Sequence, residues 1–150
     1  MKKILFVVPL PPPIHGASYI NLSIKNSKKI NKNFQNFFFN SSQITKLEEI
    51  EIFKVKKLIF FIFSYFKLII KIIIINPHII YFNPSPRGIG FYRDIFFIIL
   101  FKLFNKKLIF HLHGVGFNRL AQQSKSHKKF LKILFKNVSL ICLSRILVKD

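Results

Sequence analysis

Short apolar runs alternate along this chain with longer segments in which apolar and polar residues mix. Five runs have the length of strands: Ile4 to Val8, Phe34 to Phe39, Ile79 to Phe82, Leu108 to Leu112 and Leu140 to Leu143. They are rich in Ile, Val, Leu and Phe, and read as the near-continuous apolar runs of strands covered on both faces. Helix-length segments separate them: Ala17 to Lys29, Phe53 to Ile75, Phe91 to Phe104 and Ser124 to Lys136. Strand, helix and strand at this spacing predict an α/β domain with a parallel sheet, flanking helices and right-handed crossovers. Residues Ser41 to Glu51 form a polar connector carrying three of the five acids. No internal repeat is visible.

One helical segment has an unusual face. From Leu58 to Ile75 the only strongly polar positions are Ser64, Lys67 and Lys71. With Lys57 they fall within a band of about 80° on a helix, since each residue turns by about 100°. A polar stripe on an otherwise apolar helix describes a crossover packed on a sheet, and equally a helix lying at a membrane surface. A transmembrane span is the weaker reading, because two lysines near its middle are costly there. The later run "DIFFIILFKLF" is too short to cross.

Composition narrows the class. At 150 residues the chain is one domain with room for a core. It carries 25 Lys plus Arg against 5 Asp plus Glu, a formal charge of +20. That charge favours polyanions or anionic lipid surfaces and says nothing about fold. Lys, Asn, Ile and Phe are all abundant, as a drift toward AT-rich codons produces, so no single lysine carries much weight. A basic nucleic-acid-binding module is the competing class. Against it, Lys makes up 21 of the 25 basic residues and is scattered. No zinc-finger spacing and no RNA- or DNA-binding motif is present, so no specific nucleic acid is expected. Cys142 stands alone, cannot form an internal disulfide, and reads as a buried thiol in a reducing compartment. The opening "MKKILFVVPLPPP" is basic but too briefly apolar for a signal peptide. At the other end, "LICLSRILVKD" supplies a strand and one helical turn. A sheet ending there should leave apolar surface for a further segment to cover, so the chain reads as truncated.

Three loops follow strands where candidate chemistry gathers, because open α/β sheets bind ligands at the carboxyl ends of their strands. In "PLPPPIHGAS", Gly16 permits close approach of a ligand, and the amides of Ala17, Ser18 and Tyr19 open a helix N-terminus that favours phosphate. His15 beside them is a ligand contact or an ordinary loop histidine. The stretch is neither a P-loop nor a dinucleotide fingerprint, and a rigid turn before a plain helix start explains it as well. In "KLIFHLHGVGFNR", Ile109, His111 and His113 share one strand face, and Leu108, Phe110 and Leu112 the other. His113 precedes Gly114 and Gly116 at the carboxyl edge. There it can give a hydrogen bond or a charge to a leaving phosphate, or orient an acceptor hydroxyl. His111, one pleat deeper, reads as a buried orienting residue, and a pair of satisfied core histidines is the plain alternative. Asn118 and Arg119 are candidates for the same cleft. A metal site would need a third ligand, and no Cys or carboxylate stands nearby in sequence, so none is expected. In "FNPSPRGIGFYRD", Arg87 is placed to meet a phosphate and Ser85 or Asn83 a sugar hydroxyl, with a solvated turn the equal alternative. Arg93 and Asp94 read as surface or capping residues.

The opening "ILFVVPLPPPIHGAS", the turn "HIIYFNPSPRG" and above all "LIFHLHGVGF" resemble the N-terminal domain of GT-B fold glycosyltransferases of the large retaining group called family 4. The resemblance runs from about Lys2 to Leu147. It implies a Rossmann-like sheet forming one half of a GT-B architecture. This half mainly holds the acceptor, and a second domain binds the nucleotide-sugar. It further implies that Gly16 lies by the cleft, and that His113 and Gly114 match the family's His-Gly beside the transferred sugar. The donor would be a UDP- or GDP-sugar, with no separate cofactor. The acceptor would be a polysaccharide or lipid-linked precursor at the inner face of the cytoplasmic membrane, where the lysine-bearing helix from Lys56 to Lys71 would assist. The family's E-x7-E element and its nucleotide-binding domain are not in this sequence. Activity is therefore expected only with that second domain, carried by the full-length gene or by a separate polypeptide; an inactive gene fragment is the alternative.

Overall fold

A computed structural model describes residues 1–42, 55–86 and 88–150. Most of the polar connector, the expected helix start at Phe53, and Arg87 lie outside them.

Five strands form one parallel sheet: β1 (Lys2–Val8), β2 (Phe34–Asn40), β3 (Ile79–Phe82), β4 (Lys107–Leu112) and β5 (Val138–Cys142), in the spatial order β2-β1-β3-β4-β5. The α/β, Rossmann-like architecture is therefore present. Strand β3 has the bounds its apolar run predicts, and the others differ by one to two residues at their ends. Helices α1 (Gly16–Lys25) and α2 (Lys28–Asn33) cover one face of the sheet, with α3 (Val55–Ile75), α4 (Gly88–Leu103), α5 (Phe117–Gln123) and α6 (Lys125–Phe135) on the other. A short α7 (Arg145–Lys149) follows β5.

The pleat divides the core. Leu5 and Val7 of β1, Ile80 and Phe82 of β3, and Leu108 and Phe110 of β4 point toward α3, α4 and α6. Ile4, Phe6, Val8 and Tyr81 point toward α1 and α2, with Ile109 beside them. The alternation read along β4 is the one the structure adopts. On the α1 side a row of rings crosses the sheet. Phe38 stacks on Phe6 at 4.6 Å, Phe6 meets Tyr81 at 5.0 Å, and Tyr81 meets the edge of His111 at 5.7 Å.

Several expectations are corrected. The segment Ala17 to Lys29 is two helices, because Ser27 accepts a hydrogen bond from the Ile30 amide at 3.4 Å and starts α2 afresh. Asp94 is not a surface residue. It is 1 % exposed, and its carboxylate accepts from the Ser85 amide at 2.7 Å and from Arg93 at 2.7 and 2.9 Å. Cys142 is half-buried rather than buried. Strand β5 is not covered on both faces: Ser139, Leu140 and Ile141 are exposed.

Helix α3 differs most from its reading. Its packed side is Phe61, Tyr65, Leu68, Ile72 and Ile75, and Leu68 is 0 % exposed. The polar stripe sits on the flank rather than facing solvent. Lys71 there donates its Nζ proton to the Phe38 carbonyl at 2.8 Å. What faces outward is apolar: Phe63 is 63 % exposed and Ile74 75 %.

Candidate functional site

The chain runs from β1 outward to β2 and then returns to place β3 on the other side of β1, so the sheet order reverses between β1 and β3. In open α/β sheets the carboxyl ends of the strands at such a switch point are the usual ligand site. The proline loop follows β1, the 83–86 turn follows β3, and the histidine loop follows β4.

The proline loop is held by the helix it introduces. His15 is the N-cap of α1, its Nδ1 accepting from the Ser18 amide at 3.4 Å. The His15 amide in turn donates to Ser18 Oγ at 2.9 Å, a reciprocal capping box. Ser18 Oγ donates to the Pro13 carbonyl at 2.9 Å, and Asn21 Nδ2 donates to the Pro9 carbonyl at 3.0 Å. The Tyr19 amide closes the first helical bond on the His15 carbonyl. Of the three amides expected to face a phosphate, those of Ser18 and Tyr19 are therefore engaged, since capping and helix closure consume them. Gly16 is exposed, and a Cβ there would meet no atom within 4 Å. The backbone does not require glycine at that position.

The histidine loop is built differently. Tyr81 Oη is hydrogen-bonded to His111 Nδ1, and Asn83 Nδ2 donates to the His111 carbonyl at 3.0 Å. Burial pushes the Tyr81 phenol up, so it stays protonated. His111 is 5 % exposed, as an orienting residue should be. Its ring lies 4.1 Å from that of His113, centroid to centroid. His111 Nε2, Asn83 Oδ1 and both ring nitrogens of His113 are buried and find no hydrogen-bond partner. Buried polar atoms in folded proteins nearly always have one, and leaving one without costs about 1–3 kcal/mol.

These surroundings decide the charge of His113. Burial first, then the neighbouring His111 and His15, pull its pKa from 6.5 to about 4. Burial also lowers His15 and His111. At neutral pH His113 is thus an uncharged imidazole with one donor and one acceptor. Of the expected roles, this favours giving a hydrogen bond over giving a charge in the unliganded protein. The interaction among His15, His111 and His113 also brings the N-cap of α1 to the histidine cluster, which no sequence spacing announced.

The remaining candidates go elsewhere. Ser85 is half-buried and committed to Asp94, fixing the turn after β3. Gly114 packs beside Pro86, where a Cβ would sit 3.5 Å from Pro86 Cγ. Gly116 has φ +143° and lies against the Pro86 backbone, so a side chain there would strain the loop. Asn118 and Arg119 are exposed on α5, a helix outside the helical segments that the sequence predicts. Arg119 lines a cleft of about 510 Å³ with Pro86, Phe91 and Val115, and Asn118 a separate one of about 610 Å³ with Leu131 and Cys142. His113 lines neither. The amides of Gly116, Phe117 and Asn118 are taken by the Asp150 carboxylate at 2.8, 2.9 and 3.2 Å. Sequence reasoning missed Tyr81, Asp94 and Asp150. Of these only Tyr81, on the histidines' side of the sheet, left a signal in the alternation.

Among the described residues, no three His, Cys, Asp or Glu side chains are grouped as metal ligands. No protein-family model matches the chain, and neither the curated proteins nor the solved structures give a match.

Proposed function

We propose that this chain is the acceptor-side half of a GT-B glycosyltransferase, which moves a sugar from a UDP- or GDP-sugar to a polysaccharide or lipid-linked acceptor at the cytoplasmic face of the membrane. One observation carries the reading: His113, neutral and with both ring nitrogens unpartnered, stands just past the carboxyl end of β4, on the same sheet edge as the β1–β3 switch point. The quoted motifs suggest the family, and the five-stranded parallel sheet agrees with the Rossmann-like fold that the resemblance implies. In the transfer, the sugar's bond to the donor phosphate breaks and a new bond forms to an acceptor hydroxyl, whose proton leaves with the departing phosphate. A neutral imidazole suits this step by donating to one sugar oxygen while accepting from another hydroxyl. His111 holds that ring in place and is itself held by Tyr81 and Asn83.

The test supplies labelled UDP- and GDP-sugars and a membrane lipid extract to the chain alone, and to the chain joined to a nucleotide-sugar-binding domain. Product should appear only with the second domain present. Acceptor-dependent product from the chain alone would overturn the division of labour proposed here. Tight, salt-resistant and sequence-selective RNA binding would replace the reading altogether.

A further inference from the structure

The outward faces of α3 and α4 form one apolar surface. On α3, Phe60, Phe63, Phe66, Ile70 and Ile74 are exposed, and on α4 Tyr92, Phe96 and Ile99. Phe61, from the packed side of α3, meets Phe96 of α4 at 5.8 Å, so the two helices lie side by side. Soluble monomers seldom expose so large a contiguous patch. Cations border it. Lys67 is exposed on the flank of α3, and Lys106 stands at the end where the two helices finish, its Nζ donating to Asn76 Oδ1 at 2.6 Å. The two acids among the described residues are both engaged elsewhere, Asp94 in its buried pair with Arg93 and Asp150 on the α5 amides.

We infer that this surface seats the protein in an anionic lipid bilayer, with α3 and α4 lying in the plane of the membrane and their Phe and Ile side chains inserted. Charge selects this occupant over a second copy, since apposing two chains of formal charge +20 is repulsive, whereas anionic lipid supplies the counter-charge. Packing selects the in-plane pose. Leu58–Ile75 is long and apolar enough to cross a membrane. Crossing would strip Leu68 and Ile72 from the sheet and break the bond from Lys71 to the Phe38 carbonyl. The lysines then steer approach while apolar insertion holds the protein, which differs from the purely electrostatic attachment a lysine stripe suggests. This inference shares with the proposed function only the membrane as location, and vesicle binding succeeds or fails irrespective of sugar transfer.

The chain has no tryptophan, so Phe66→Trp is a background-free probe. With vesicles of phosphatidylcholine and phosphatidylglycerol, its emission should shift to the blue and be quenched by lipids brominated high on the acyl chain. Once bound, raising the salt should release little protein. Phe63→Glu and Phe96→Glu, both at exposed positions, should each weaken partitioning by about tenfold or more. Ile146→Glu, exposed on α7, should leave it unchanged, with thermal melts confirming that all variants fold. Unquenched emission, equal binding by Phe63→Glu, or complete release by salt would overturn the proposal. So would retention through carbonate extraction, which marks a span, or self-association abolished by Phe63→Glu without vesicle binding, which marks a second copy.

Discussion

The loops after β1 and β4 make an instructive pair, because the one that looks more special in sequence is the more ordinary in structure. In the proline loop, Ser18 and His15 Nδ1 cap one another and Asn21 Nδ2 reaches back to the Pro9 carbonyl, leaving Asn21 Oδ1 buried without a partner. In the histidine loop, His111 Nε2 and both nitrogens of His113 find none. A loop whose polar groups are mostly satisfied by its own backbone and capping box is largely explained by its own folding. A loop that buries polar atoms without partners bears a cost that a ligand can relieve. The difference favours His113, over Gly16 or His15, for the substrate contact proposed above.

The largest expected effect is catalytic. In the proposed two-domain enzyme, His113→Ala should lower kcat/KM by about 10²- to 10⁴-fold while the melting temperature hardly falls. An early-melting variant with wild-type turnover would make His113 a packing residue and erase the contrast between the loops. Next comes Tyr81→Phe, which leaves His111 Nδ1 buried without its partner. A loss of about 1–3 kcal/mol in denaturant unfolding is expected. Unchanged stability would mean that Tyr81 does not hold the histidine. Smaller still, Ser18→Ala removes one half of the capping box and should cost about 1 kcal/mol, read in the same unfolding experiment. Gly16→Ala sharpens the comparison from the other side. It meets no atom in the fold, so it should leave stability unchanged, and any fall in turnover would locate substrate against the start of α1.

How much of this the sequence disclosed follows from what each signal encodes. Buried parallel strands impose unbroken apolar runs, so β1, β3 and β4 were legible nearly to the residue. The pleat's alternation placed His111 and His113 on one face and made His111 the deeper of the two. Helix α5 was not legible, because "GFNRLAQQ" is short, lacks a strong apolar period and begins at a glycine of positive φ. The outward face of α3 was not legible for a different reason. When most of a helix's circumference is apolar, a wheel diagram shows where the polar stripe lies but not which apolar arc meets the sheet. Tertiary packing made that choice, and Lys71 reaching the Phe38 carbonyl put the stripe on the flank. Nor does any local pattern announce a buried aspartate: Asp94 sits in a helix start that reads as surface, and only the fold brings the Ser85 amide to it.

Burial and the two neighbouring histidines hold His113 neutral, and its titration tests this account most directly. The measurement is the pH dependence of its ring-nitrogen resonances in the isolated chain, assigned by their loss in His113→Asn. A midpoint near 4, well below the ordinary 6.5, is expected. Because the folded pKa is the lower one, the unfolded chain takes up this proton first as pH falls. Stability should therefore decline between pH 6.5 and 4 more steeply in the wild type than in His113→Asn. Comparing the two cancels other groups, including Asp94, whose carboxyl is pushed up by burial. A midpoint near 6.5 with matching stability profiles would show an imidazole open to solvent, and would contradict the claim that His113 waits, neutral and unpartnered, for substrate.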